Sequence, residues 1–155
     1  MKRHAWILVL FTILLSQSAR AQQSSDSAAV ATTFTSLLKL CRNVDFNDPT
    51  TREQGFFHKV APYIIYRGDN KQRNWKDFAN YQNAAERKQV DEIAARINRT
   101  VNRDTAWRIV SYETRKESEG VWHAITVNYT LNGTSRKLLF AFLKVKGRYG
   151  LGDID

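Results

Sequence analysis

Residues 121–154 read VWHAITVNYTLNGTSRKLLFAFLKVKGRYGLGDI, and this stretch decides the fold. From Val121 to Leu131 apolar and polar side chains alternate with a period of two, which is typical of a half-buried strand. Asn132-Gly133 then predicts a type I′ hairpin, because both central residues of that turn need a positive φ. Gly147 permits a further reversal. We therefore expect four antiparallel strands between Thr105 and the C-terminus.

Helical patterns come before these strands. Apolar residues recur at intervals of three and four from Val30 to Cys41, which predicts an amphipathic helix. Asp48-Pro49 predicts the start of a short second helix that ends near His58. A third and longer helix is predicted from about Tyr81 to Arg99, and the run Tyr63–Tyr66 predicts a short strand. The fold class is therefore α+β, with helices first and strands after.

The N-terminus has the three parts of a secretory signal peptide: basic residues at 2–4, an apolar run from Ala5 to Leu15, and the small-residue exit Ala19-Arg20-Ala21. We predict cleavage after Ala21. The apolar run is too short for a transmembrane anchor, which needs about 20 residues. Residues 22–27 are predicted to be a disordered polar stub and residues 28–155 the folded domain. The protein is then exported, to the periplasm or beyond.

The order of elements and the closing stretch Phe140–Ile154 resemble the nuclear transport factor 2-like superfamily, a cystatin-like α+β cone, and in particular its small secreted bacterial members. The resemblance implies three N-terminal helices packed in a strongly curved antiparallel sheet, a cone-shaped barrel with one pocket. It implies no single function, because the family holds isomerases, hydrolases, dehydratases, cyclases and members without chemistry. No catalytic motif of that family can be placed on this chain.

If the odd-numbered face of the 121–131 strand points inward, the pocket is lined by aromatic side chains and one imidazole. The predicted ligand-binding residues are Phe34, Tyr63, Tyr66, Trp107, His123 and Tyr129. For catalysis no constellation is predicted, and only His123, Asp77 and Tyr129 come into consideration as an acid, a base or a phenol. The residues themselves favour a structural role over a catalytic one, with Asp77 as a helix cap or a solvated charge and His123 as a hydrogen-bonded histidine at the edge of the sheet.

Composition argues against several other classes of protein. The three histidines and the single Cys41 have no spacing that suits a metal, so neither a metal nor a cofactor is predicted. The net charge of +9 comes with mixed signs along the chain and in an exported protein, so nucleic acid is not expected as a partner. Cys41 lies on the apolar stripe of its helix and is expected to be a buried hydrophobe.

The strand from Arg136 to Lys146 is apolar on both faces. One face would line the cone, and the outer face would then need a cover, which predicts a homodimer packed sheet to sheet.

Three hypotheses for function remain. The first is a non-catalytic binding protein, for a small apolar or amphipathic molecule or for an envelope partner. The second is an isomerase, hydratase or cyclase that uses an acid–base pair in the cone pocket. The third is a protein-interaction module whose cone is filled by Phe34, Trp107 and Tyr129.

Overall fold

The computed structural model describes residues 4–42, 44–45, 48, 50, 56–66, 77–102 and 104–155. It has an α+β fold. Within these residues, two long helices, α1 (His4–Arg42) and α2 (Ala84–Thr100), come before four strands, β1 (Trp107–Glu117), β2 (Gly120–Leu131), β3 (Thr134–Val145) and β4 (Arg148–Ile154). Two 3₁₀ turns, Phe56–Lys59 and Ala61–Tyr63, lie between the helices in the chain.

The strands form one open antiparallel sheet in the order β1-β2-β3-β4, in which each strand pairs with the next along the chain. The Asn-Gly hairpin is confirmed, since Asn132 has a φ of 51° and Gly133 one of 75°. The second reversal has the same form, with φ values of 50° at Lys146 and 78° at Gly147. These turns twist with the strands that they join, and they set the register of the sheet.

Two β-bulges change which residues face the helices. In β1 the register shifts between Ile109 and Ser111, so Trp107 and Ile109 face the core and the next inward residue is Tyr112. A second shift lies opposite Ala141 and Phe142 on β3, and it brings both Leu151 and Ile154 of β4 to the core. A bulge adds one residue to one strand and therefore reverses the alternation beyond it.

The main core lies between the helices and one face of the sheet. The stripe of α1 predicted from the sequence is buried there, including Phe34 and Cys41, and so are the odd-numbered residues of β2 from Ile125 to Tyr129. Burial raises the pKa of the Cys41 thiol to about 12, so this cysteine is an inert part of the core.

Side chains that bond to the backbone carbonyls of other elements hold the helices in place. The Arg42 guanidinium donates to the carbonyls of Asn102 and Thr105 at 2.7 and 3.1 Å. Asn98 of α2 donates to the carbonyl of Cys41 at 2.8 Å, and Arg96 donates to that of Ile154 at 2.7 Å. The end of α1 is thereby tied to α2 and to the start of β1.

A smaller core covers part of the opposite face of the sheet. Trp122, Leu143 and Val145 are buried there against Ile65 and Phe78, which belong to the chain between the helices. A Cβ atom at Gly150 would lie 2.7 Å from the Phe78 ring and 2.9 Å from Ile65, so this glycine is needed for their close approach. The chain itself therefore supplies part of the cover that the sequence assigned to a second copy.

Several boundaries differ from those expected. The third predicted helix begins three residues later, because the Asn83 side chain accepts from the backbone N–H groups of Ala85 and Glu86 and caps the helix at residue 84. The predicted second helix and the turn after Tyr66 fall mostly outside the described residues. In place of the short strand predicted at Tyr63–Tyr66, the structure has two isolated β-bridges, one between Ile64 and Leu151 and one between Ile65 and Phe78.

Helix α1 continues through the N-terminal segment. Residues 22–27, for which composition predicts a disordered stub, lie within it, and Asp26 packs against the sheet through Lys144. In the part of the chain that the structure describes, we find no helix with an apolar stretch long enough to cross a membrane.

Candidate functional site

A cluster of titratable side chains lies where α1, at Asp26, approaches the sheet. The centre of this cluster is His123 of β2, which is only 5% exposed. Its Nδ1 atom lies 2.6 Å from the Tyr112 hydroxyl of β1, and its ring meets that of Tyr149 edge-on, with centroids 4.9 Å apart. The bulge in β1 makes this contact possible, since it turns Tyr112 to the face of the sheet that carries His123.

Burial sets the protonation states of this cluster. Burial raises the pKa of Tyr112, and the negative charge of the Asp26 carboxylate raises it further, so the phenol stays protonated. Burial lowers the pKa of His123, and of the nearby charges Asp26 raises it while Lys144 lowers it. We expect the phenol O–H to donate a hydrogen bond to Nδ1 of the neutral imidazole, which leaves the ring's own hydrogen on Nε2.

Asp26 and Lys144 complete the cluster. The Lys144 ammonium lies 3.5 Å from the Asp26 carboxylate, whose side chain is 17% exposed, and 5.3 Å from the centre of the Tyr149 ring. Burial raises the pKa of Tyr149, and a hydrogen-bonding contact with the Asp26 carboxylate, together with the charge of that carboxylate, raises it further. Even so, the buried Tyr149 hydroxyl has no hydrogen bond of regular geometry to any atom of the described residues.

A groove of about 690 Å³ opens beside this cluster. Part of its lining comes from α1 between Ser25 and Leu40, which are about 22 Å apart along the helix. The rest comes from the 3₁₀ turns and from the β3–β4 reversal. Its charged groups are Asp26, Lys59, Lys144 and Arg148. The groove thus joins a helix face of small side chains to a surface with a cationic excess.

A second cleft, of about 610 Å³, shares Asp26 and Lys144 with the groove. It is lined by His123 and Glu119, and by Val121, which is 45% exposed. The Asp26–Lys144 ion pair therefore lies at the boundary of both depressions. A molecule bound in either one would meet these two charges.

Three of the predicted ligand-binding residues lie in the core. Phe34 is fully buried and packs edge-on against Trp107, with centroids 5.4 Å apart, and against Phe140 at 4.7 Å. Tyr129 belongs to the same core cluster. It lies six residues along β2 from His123, a distance of about 20 Å. Neither of the two large depressions is lined by any of these three residues.

The other predicted residues are divided between the site and the rest of the fold. His123 lies at the site, and Tyr63 lines the groove. Tyr66 is buried and lines neither depression. Asp77 accepts a hydrogen bond from the backbone N–H of Phe78 and forms an ion pair with Lys146 at 2.9 Å. These contacts correspond to the structural role, as a cap or a surface charge, that the sequence offered as the alternative to catalysis. His123 contacts Tyr112 and Tyr149, while Asp77 and Tyr129 line neither the groove nor the second cleft.

Sequence reasoning did not find Asp26, Tyr112, Lys144 or Tyr149. Asp26 falls in a polar segment with no apolar pattern. Simple alternation from Trp107 and Ile109 would place Tyr112 on the opposite face of the sheet, and the bulge reverses this. One signal was available for the other two: opposite positions across a type I′ reversal at Lys146-Gly147 pair Lys144 with Tyr149. Counting outward from that turn would have placed the ammonium beside the phenol.

Metal binding finds no support in the geometry. Among the residues that the structure describes, no group of three or more histidine, cysteine or carboxylate side chains could hold an ion. Chemically, the site can hold a polar or charged group between an ammonium and a phenol, and the imidazole can take or give a proton. No family model, curated protein or solved structure matches this chain, so its function is inferred from this geometry.

Proposed function

We propose that this protein is a non-catalytic binding protein for a small amphipathic molecule, which it holds in the groove beside Asp26 and Lys144. The observation that carries the proposal is the buried Tyr149 hydroxyl, which borders an open groove and meets the Asp26 carboxylate without regular hydrogen-bond geometry. A buried polar group in that state is costly, and a ligand that satisfies it gains affinity. Export, with cleavage after Ala21, and a nuclear transport factor 2-like cone remain parts of the proposal.

The dimensions and lining of the groove support a small ligand. Its volume lies within the range of about 300 to 1,000 Å³ that is usual for small-molecule sites. Ala29, Leu40, Pro62 and Tyr63 offer apolar contacts, while the charged and phenolic groups can orient a polar end. The interior itself is filled by Phe34 and its neighbours, so the ligand would bind at the rim and not within the core.

Native mass spectrometry of the chain exported by a bacterial host tests this function directly. A species that starts at Gln22 and carries extra mass would support export and binding, and the extra mass identifies the ligand. A species that retains residues 1–21 would contradict the export prediction. A bare species that a panel of amphiphiles neither binds nor stabilises against heat would contradict the binding function.

An acid–base enzyme is the second candidate, and the 2.6 Å contact between Tyr112 and His123 at the wall of a cleft favours it. The phenol would orient the imidazole, and Nε2 would exchange a proton with a bound carbonyl compound. Incubating carbonyl compounds with the protein in D₂O tests this. Deuterium uptake that His123→Gln abolishes and His58→Gln leaves intact would support the enzyme, and no uptake above the uncatalysed rate would count against it.

A homodimer through the outer face of the sheet remains a prediction, with a smaller surface than the sequence suggested. Leu139 and Ala141 are partly exposed there, while Leu143 and Val145 are already covered by the chain. The same native mass spectrum reports the oligomeric state. A monomer at micromolar concentration would leave the interaction-module hypothesis dependent on a different partner.

A further inference from the structure

We propose that the ligand carries an anionic head group, which binds between the Lys144 ammonium and the Tyr149 hydroxyl, and that Asp26 is the internal competitor which that group displaces. This inference rests on the proposed binding function and adds the chemical class of the ligand, a carboxylate or similar monoanion on an apolar chain. It also assigns Asp26 a role that weakens binding.

The charges of the groove favour an anion. Lys59, Lys144 and Arg148 face it, against the single carboxylate of Asp26. Lys146, near the shared boundary, is already paired with Asp77 at 2.9 Å, and Lys144 at 3.5 Å from Asp26 has a looser pair. Lys144 also keeps 47% of its side chain exposed, so a second anion can approach it from solvent.

Tyr149 supplies the neutral donor that a carboxylate needs beside the ammonium. Its residue is 95% buried, its hydroxyl stays protonated, and its contact with the Asp26 carboxylate lacks regular hydrogen-bond geometry. Hydrogen bonds to a charged acceptor are stronger than those between neutral groups. An incoming carboxylate, free to reorient, would therefore accept from Tyr149 in better geometry than Asp26, held on its helix, does.

Asp26 is placed to compete for the same two groups. It lies on α1, one turn before Ala29 in the wall of the groove, and it interacts electrostatically with both Lys144 and Tyr149. A ligand anion bound there meets the Asp26 charge as well. Removing that charge should thus favour anionic ligands while it leaves neutral ligands of the same shape unaffected.

The test uses two fluorescent probes of one shape, 11-(dansylamino)undecanoic acid and its primary amide, titrated into the full exported chain. We expect the wild-type chain to prefer the acid, and the preference to fall as salt rises. Asp26→Asn should tighten binding of the acid about threefold, and Lys144→Met should weaken it about fivefold, with little change for the amide. Lys88→Met is the control, since it removes the same charge from α2 outside the groove, at a side chain that is 78% exposed against 47% for Lys144.

Tyr149→Phe separates a binding role from a structural one. Because the hydroxyl meets Asp26 only in irregular geometry in the free protein, its removal should change the free energy of unfolding little, while affinity for the acid falls about tenfold. Any variant that loses its far-UV circular dichroism is set aside, and the others carry the test. If the amide binds as tightly as the acid and Asp26→Asn changes neither, the anionic class is wrong while binding stands. If neither probe binds, both proposals are overturned.

Discussion

Replacing Phe34 by alanine distinguishes a core residue from a ligand contact. The ring is fully buried, packs edge-on against Trp107 and lies 4.7 Å from the Phe140 ring. Truncating a buried phenylalanine costs about 3 to 5 kcal/mol, and lost ring pairs are part of that cost. We expect Phe34→Ala to lower the free energy of unfolding by about 4 kcal/mol, because α1 and the sheet cannot move together far enough to fill the cavity that the substitution leaves.

Urea denaturation followed by far-UV circular dichroism measures this loss. With a slope of about 2 kcal/mol per molar urea, the midpoint should fall by about 2 M, and the melting temperature by about 10 °C. Val121→Ala removes an exposed side chain and should change stability by about 0.5 kcal/mol or less. A midpoint within about 0.3 M of wild type would refute the assignment of Phe34 to a filled core and return it to the ligand site.

Three further predictions follow from the site and from the second core. Burial lowers the pKa of His123 below the ordinary 6.5, so the unfolded chain binds more protons than the folded one near that pH. The free energy of unfolding should therefore fall as the pH drops from 7 through 6.5 to below the folded-state pKa. His123→Gln should flatten this fall between pH 7 and 5.5 whereas His58→Gln preserves it; equal slopes would show that another group is responsible. Nitrogen-15 NMR should show hydrogen on Nε2 of His123, and Tyr112→Phe should shift the Nδ1 resonance and cost about 1 kcal/mol, so an unchanged resonance would disprove the hydrogen bond. Gly150→Ala should cost about 1 to 3 kcal/mol in thermal denaturation through overlap with the Phe78 ring, and less when it is combined with Phe78→Ala; full additivity would place the strain elsewhere.

Much of the fold could be predicted because its signals are local. Alternation along 121–131 and the Asn-Gly dipeptide depend on neighbouring residues only, and they predicted both the strand and its turn. The stripe from Val30 to Cys41 likewise depends on helical spacing, and it is the face that α1 buries. The capped start of α2 was missed by three residues, because the periodic apolar residues of that segment do not locate the first helical residue.

The site could be predicted only in part, because it is assembled from four distant segments. His123 was identified from its place on an inward strand face, a local property. Its partners were not identified. Tyr112 contacts His123 because of a bulge that the sequence of β1 does not predict, and Asp26 and Lys144 are 118 positions apart in the chain. Phe34, Trp107 and Tyr129, which are predicted to bind a ligand, have large apolar surfaces, and their burial stabilises the core.

The sequence by itself determined the two long helices, the four strands and the two glycine turns, because each follows from side-chain periodicity or from an allowed φ over a few residues. Only the tertiary structure decided that Phe34, Trp107 and Tyr129 fill the interior, and that an ammonium, a carboxylate, an imidazole and two phenols meet at the rim. Such a meeting depends on register shifts and helix placement, which arise from packing the whole chain at once and leave no periodic trace in any one segment.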